Sequence, residues 1–190
     1  MNVYDFDGTL YKGDSSRDFF VYALKKHPSL IRFVPRIGWG FLRYWLRIIS
    51  KTQAKEHFFS FLTAVDGEAL AEQFWTDHTQ WIRPWYPAQH RDDDVVISAS
   101  PEFLLQPICR RLGITHLMAS RVDPHTGKFE GGNCRDTEKV RRFHEQYGDA
   151  VIDSFYSDST ADLPLAKLAK QAFFVHRNGK PGPWEWKHDA

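Results

Sequence analysis

The first chemistry in the chain is a pair of carboxylates. Asp5 and Asp7 stand two positions apart in Asp5-Phe6-Asp7-Gly8-Thr9-Leu10, and alternate residues of a strand leave it on the same side. The lead-in Asn2-Val3-Tyr4 reads as a short strand, Gly8 permits a sharp turn, and Thr9 adds a hydroxyl beside it. Carboxylates this close repel unless a cation or a proton lies between them. The pair therefore suits a hard divalent cation such as Mg²⁺, held by one or two carboxylates plus phosphate oxygens, with one carboxylate left to react. A solvated Asp-rich turn would carry the same residues, so the pair gains weight only from residues downstream in the chain.

Three later stretches add to it. Asp94-Val95-Val96-Ile97-Ser98 is a short apolar run that delivers a hydroxyl, and ligands of open α/β sheets bind at the carboxyl ends of the strands. Ser98 and the backbone N–H groups after it, beginning at Ala99, can hold a phosphate oxygen; alone, a serine there is a turn residue. Lys139 can neutralise both a phosphate and a neighbouring carboxylate, although a lone helix lysine is ordinarily solvated. Asp158 and Asp162 follow another strand in Tyr156-Ser157-Asp158-Ser159-Thr160-Ala161-Asp162. If a helix begins just after Asp158, the two lie about one turn apart on one face, and Asp158 also suits a helix N-cap.

The elements that must position these groups alternate. Strands are expected at 94–98, 116–122, 150–156 and 172–175. Helices are expected from Ser100 as N-cap with Pro101 at its first position to a Gly113 stop, over 137–147, and from Leu163 to Lys170. A Gly-containing hairpin is expected over 123–132. Such alternation makes a parallel α/β sheet. After the first strand it is interrupted: Asp14 or Ser15 caps a helix near Arg17, and everything from about 17 to 87 has helical patterning, closed by Pro84 and Pro87. The helical block is an insertion.

The order Asp-Phe-Asp-Gly-Thr-Leu, Val-Ile-Ser, Lys, then Ser-Asp-Ser-Thr-Ala-Asp-Leu-Pro-Leu resembles the four motifs of the haloacid-dehalogenase-like phosphatase superfamily. The helical insertion resembles its subclass I cap, and Gly127-Lys128-Phe129-Glu130-Gly131 resembles its phosphoserine-phosphatase-like branch. The resemblance spans nearly the whole chain. It implies a doubly wound, Rossmann-like α/β core over 1–16 and 88–190 with an α-helical cap over 17–87. It implies Asp5 as nucleophile, Asp7 as general acid and then base, and Lys139 as the cation holding Asp5 and the phosphate. Mg²⁺ would take the Asp5 carboxylate, the Asp7 carbonyl and Asp158, with Asp162 a second-layer partner of the metal. Ser98 and Ala99 would bind phosphate. Lys128 competes for the lysine role, but it sits in the hairpin, and Lys139 is preferred. Asp14 stands where that branch carries a substrate-reading Glu, and substrate contact and helix capping are both open. Ser159-Thr160-Ala161 replaces the Gly-Ala-Asn run of phosphoserine phosphatases.

Composition bounds the rest. With 190 residues, 42% hydrophobic, 26% charged and a formal charge of +1, the chain is an ordinary globular one without the charge signature of a nucleic-acid partner. Two cysteines without metal spacing, no room for a cleavable leader and no uncharged apolar run of about 18 residues point to a cytoplasmic protein with no spanning helix. The block 30–49 is unusual: Arg32, Arg36, Arg43 and Arg47 fall on one stripe if a single helix survives Pro35, Gly38 and Gly40, amid Phe33, Ile37, Phe41, Tyr44, Trp45 and Ile48. One reading is a cap helix with its aromatics buried and its arginines solvated. The other is peripheral contact with the inner face of an anionic membrane. Bacterial phosphatidylglycerophosphate phosphatases look similar, with an apolar block here and a Tyr-Ser-Asp-Ser motif. The expected activity is a phosphomonoester hydrolase acting on a small metabolite phosphate or a lipid head-group phosphate. The alternative is a membrane- or protein-binding module on a catalytically idle scaffold.

Overall fold

The computed structural model describes residues 1–185. Six strands form one sheet in the order β3-β2-β1-β4-β5-β6: β1 (Asn2–Tyr4), β2 (Val95–Pro101), β3 (His116–Ser120), β4 (Ile152–Ser157), β5 (Ala169–Val175) and β6 (Pro181–Pro183). The first five run parallel, and β6 pairs antiparallel with β5. This is a doubly wound α/β core, and chain direction across the sheet reverses between β1 and β4, where such sheets place their ligands. The central strands are apolar on both faces: Val3, Val95, Ile97, Ile152 and Phe155 are buried, as helix-covered parallel sheets require. On the other face Tyr4, Tyr156 and Phe173 occupy one register across three strands, and their rings stack at 4.8 Å each.

Between β1 and β2 lies the inserted helical cap: α1 (Ser15–Lys26), α2 (Val34–Trp45), α3 (Lys51–Phe59), α4 (Gly67–His78) and α5 (Trp85–Gln89). Asp14 caps α1 by accepting the Arg17 N–H at 2.9 Å, and Ser50 with Gln53 forms a capping box on α3. The cap and core share one hydrophobic core. Trp75 of α4 is fully buried, and its indole N–H donates to the Leu104 carbonyl at 2.6 Å. That carbonyl belongs to α6 (Glu102–Leu112), which ends on Gly113 in the left-handed conformation, φ 74°. Two further helices, α7 (Thr137–Tyr147) and α8 (Leu163–Ala166), complete the described residues.

Several expectations are corrected. Ser100 does not cap α6; β2 runs on through Pro101, and the Ser100 hydroxyl is turned instead toward Asp7. The helix expected over 163–170 is a single turn, because β5 already begins at Ala169. β6 was unforeseen, its Pro-Gly-Pro sequence being tolerated at a sheet edge. The four arginines do not share one helix. Pro35 starts α2 rather than surviving inside it, Arg32 lies in the preceding 3-10 turn, and Arg47 lies beyond the helix in the left-handed region, φ 59°. Nor are the aromatics of α2 buried: only Ile37 and Gly40 are, with Gly40 set against His57, and Trp39, Phe41, Tyr44 and Trp45 are exposed.

Candidate active site

At the carboxyl ends of β1, β2 and β4 lies a cavity of about 590 Å³ whose lining includes Asp5, Asp7, Ser98, Lys139, Asp158 and Asp162. Its centre is an ionic triad. The Lys139 ammonium, 2% exposed, donates to Asp5 Oδ1 at 2.7 Å and to Asp162 Oδ2 at 2.8 Å. Asp162 Oδ2 also accepts the Ser157 hydroxyl at 2.7 Å. Burial alone would lower the lysine's affinity for its proton, but the Asp5 and Asp162 carboxylates outweigh it and hold Lys139 well above its ordinary range. For Asp5 burial wins over the lysine, with the Asp162 charge adding to it, and its carboxyl is pushed up to about 7. Of the two lysines weighed for the role, Lys139 is the one set against Asp5, and Lys128 lies at the surface on Glu56, 3.0 Å away.

Asp7 is pinned between two elements. Its Oδ1 accepts the Ser15 N–H at 2.7 Å, in the first turn of α1, and its Oδ2 accepts the Ser100 hydroxyl at 2.5 Å, at the end of β2. Burial, with the charge of Asp14 behind it, raises its carboxyl to about 6, while the Ser100 and Ser15 bonds pull the other way. A carboxyl near 6 holds enough proton at neutral pH to work in both directions. Ser98 is buried and its Oγ accepts the Ser100 N–H at 3.1 Å. The ladder between β2 and β3 slips between Ile97 and Pro101, which frees this Ser98-Ala99-Ser100 segment from strand pairing to face the cavity. The Ala99 carbonyl is occupied by the Lys55 ammonium, 2.8 Å, and the Ser120 hydroxyl, 3.0 Å. Asp14 lines the same cavity while capping α1.

Three oxygens here suit a hard cation. Asp5 has one oxygen on the lysine, and no hydrogen bond among the described residues reaches the other. The Asp7 carbonyl accepts none among the described residues. The Asp158 carboxylate folds directly over Gly8, where any Cβ would collide with its Oδ2; Gly8, at φ 73°, is the only kind of residue that leaves it room. The Asp158 N–H is anchored on the Thr9 hydroxyl at 3.0 Å. Among the described residues no cluster of three or more His, Cys, Asp or Glu forms a protein-only metal cage. An ion that keeps several waters and takes only one or two carboxylates needs none, so the donor set fits Mg²⁺.

Ser100 and Lys55 were not legible in the sequence. Ser100 read as a helix cap, and Lys55 was one more lysine on a helix; only tertiary structure brings its ammonium onto the Ala99 carbonyl and Asn133 Oδ1, each at 2.8 Å. Replacing Ser100 by Ala removes a bond that favours ionised Asp7. The carboxyl of Asp7 then rises further, and the alkaline limb of kcat/KM should move to higher pH, with activity reduced about tenfold at neutral pH from lost orientation. A pH profile of phosphate release reads both effects, and an unshifted limb would separate Ser100 from Asp7.

The chain matches the family model of haloacid dehalogenase-like hydrolases over residues 3–167. It is 28% identical over 205 residues to Protein CicA of Caulobacter vibrioides, covering 94% of this chain and 87% of that one. It is 24% identical over 208 residues to a histidinol-phosphatase of Neisseria meningitidis, covering 93% and 90%. Among solved structures, a protein of unknown function from Bordetella pertussis Tohama I superposes with a TM-score of 0.74 at 22% identity, covering 90% of this chain and 87% of that one. The chain belongs to the haloacid dehalogenase-like hydrolase family. Within that family it is a phosphatase.

Proposed function

We propose that the enzyme is a Mg²⁺-dependent phosphomonoester hydrolase that works through an aspartyl-phosphate on Asp5, with residues 1–16 and 88–190 as its catalytic core and 17–87 as the cap. The observation that carries this reading is the Asp5–Lys139–Asp162 triad, set beside an independently pinned Asp7. Asp5 attacks phosphorus while the bond to the alcohol oxygen breaks, and Asp7 gives that oxygen its proton. Asp7, now ionised, takes a proton from water, whose oxygen attacks the phosphorus and frees inorganic phosphate and the Asp5 carboxylate. Lys139 keeps Asp5 oriented and balances charge on the transferring group. Ser98 and the Ala99 N–H receive phosphate oxygens. Mg²⁺, held by Asp5, the Asp7 carbonyl and Asp158, would supply electrophilic charge to the phosphoryl oxygens.

The substrate is a small metabolite phosphate or a lipid head-group phosphate, with Asp14 at the pocket wall. The deciding experiment is phosphate release from a panel of sugar, amino-alcohol, nucleotide and lipid phosphates, with and without EDTA. Release that chelation abolishes and Mg²⁺ restores supports the reading, and no release from any member moves the protein to a binding role on an idle scaffold. The two cysteines, free and buried, suit a reducing cytoplasm, and no helix among the described residues is long and apolar enough to cross a membrane.

A membrane-facing role for 30–49 is favoured by exposure: Trp45 is 77% and Ile48 61% exposed, beside exposed Arg36 and Arg47. Aromatic and aliphatic side chains flanked by arginines insert at anionic interfaces. Partitioning onto vesicles containing anionic lipid should fall about tenfold or more in the Arg36→Glu/Trp45→Ala double variant, with generic ester hydrolysis intact. Equal sedimentation of both proteins with vesicles would remove the membrane role.

A further inference from the structure

A second cavity, about 410 Å³, adjoins the catalytic one. The two share Asp14, Ser16, Lys51 and Lys55 as a common wall. On the catalytic side the lining is carboxylate, hydroxyl and ammonium. Beyond the wall it turns apolar apart from Arg17, with Phe41 and Tyr44 from α2 facing Ala54, Phe58 and Phe59 from α3. Phe41 and Phe58 meet at 6.2 Å, and Phe58 and Phe59 at 4.9 Å edge to face. Ala54 and Phe59 are buried in the cap, whereas Phe41 and Tyr44 stand 48% and 41% exposed.

Apolar surface left open to water is unfavourable in proportion to its area, and a larger side chain at position 54 would have closed this chamber. Its volume lies within the range of about 300–1,000 Å³ typical of small-molecule sites. What it adjoins identifies its occupant. The shared wall sets the chamber beside the place where the phosphate would sit, within reach of a group attached to that phosphate. The wall itself is polar: Lys51 and Lys55 suit the ester and hydroxyl oxygens near the phosphorus, and Asp14 suits a cationic or hydroxyl substituent.

We infer that this chamber receives an apolar group, a short alkyl chain or an aromatic ring, carried on the alcohol of the phosphomonoester. The enzyme then selects amphiphilic alcohol phosphates over fully hydrophilic ones such as hexose phosphates. The inference rests on the phosphatase reading above and specifies its leaving group. The shared chemistry has two sources, the acyl region of a lipid phosphate and the apolar body of a soluble metabolite phosphate.

The test is binding of non-hydrolysable phosphonates to the full chain with Mg²⁺, followed by calorimetry, so that it needs no turnover. Hexylphosphonate and phenylphosphonate should bind at least about tenfold tighter than methylphosphonate, since each buried methylene adds several-fold. Ala54→Phe fills the chamber and should cut that advantage below about twofold, leaving methylphosphonate unchanged. Should Ala54→Phe fail to fold, Phe41→Gln, on a half-exposed position, is expected to lower the advantage at least about threefold. Equal binding of the three phosphonates, binding of none, or an advantage that survives both substitutions would overturn the chamber. If the phosphonates bind as expected but no ester is hydrolysed, the phosphatase mechanism fails and the chamber stands. Turnover of hexyl and phenyl phosphates against a lysolipid phosphate in micelles then separates the sources: the ester whose KM rises in Ala54→Phe identifies which apolar group the chamber holds.

Discussion

Asp5→Asn should lower kcat by at least about 10⁴-fold, the scale on which enzymes lose activity when a covalent nucleophile is removed, while leaving the fold intact. The amide occupies the same volume, and its carbonyl oxygen can still accept from Lys139, whose second bond to Asp162 is untouched. What is lost is a negatively charged oxygen able to bond to phosphorus. A stability signature should accompany the kinetic one. Burial, opposed by Lys139, moves the Asp5 carboxyl from 3.8 to about 7. The folded state therefore binds this proton more tightly than the unfolded chain does. The stabilisation from that proton is fully present below the unfolded value and is lost as pH rises through about 7. Asn has no proton to lose, so in EDTA the melting temperature of Asp5→Asn should fall less than that of the wild type between pH 5 and 8. Turnover within about tenfold of the wild type would take Asp5 out of the nucleophile's role and leave it only a ligand.

How much of the site is visible in the sequence depends on how locally each feature is encoded. The Asp5–Asp7 pair, Ser98 and Asp158 sit on strand ends marked by short apolar runs and turn residues, and the sheet brings those ends together because β1, β2 and β4 are neighbours. Lys139 lies on the helix expected from about 137 to 147 and found at Thr137–Tyr147. The preference for it over Lys128 rests on helix against hairpin; Lys139 is buried against Asp5, and Lys128 is paired with Glu56 at the surface.

The expectations that failed depended on partners distant in sequence. Ser-Pro is a good helix start by local rules, yet Ser100 serves Asp7, 93 positions away, and so the strand continues. Asp162 was expected to belong with Asp158 on one helical face. The chain there forms a 3-10 turn instead, and Asp162 turns inward to Lys139 and Ser157 while Asp158 reaches over Gly8. For α2 the periodic pattern indicated an amphipathic helix but not what its apolar side meets. It packs on α3 along the side of Ile37 and Gly40, while the aromatics that usually signal a core stand open to solvent beside the chamber that α2 and α3 enclose. Amphipathicity reports a preference for an apolar neighbour, and that neighbour need not be part of the chain.

Lys139→Met should damage function and fold together. Removing a positioned cation from a transition state that spreads negative charge costs about 10²–10³ in kcat. Breaking a buried ion pair by deleting one partner costs about 3–5 kcal/mol, because the other is left buried and uncompensated; here two carboxylates are left. The loss should depend on pH in a direction that packing could not mimic. Asp5 is already pushed up to about 7 with the lysine restraining it. Without that restraint it rises further and is protonated at pH 5.5, which removes one of the two stranded charges. Chemical denaturation should therefore show a larger deficit at pH 8 than at pH 5.5. Adding Asp5→Asn to Lys139→Met should recover about half of the deficit at pH 8 and little at pH 5.5, a coupling that the double-mutant cycle isolates. A deficit equal at both pH values and indifferent to Asp5→Asn would mean that the methionine fails by shape. The lysine would then be a core side chain that happens to carry a charge, and Asp5 would owe its orientation to something else in the pocket.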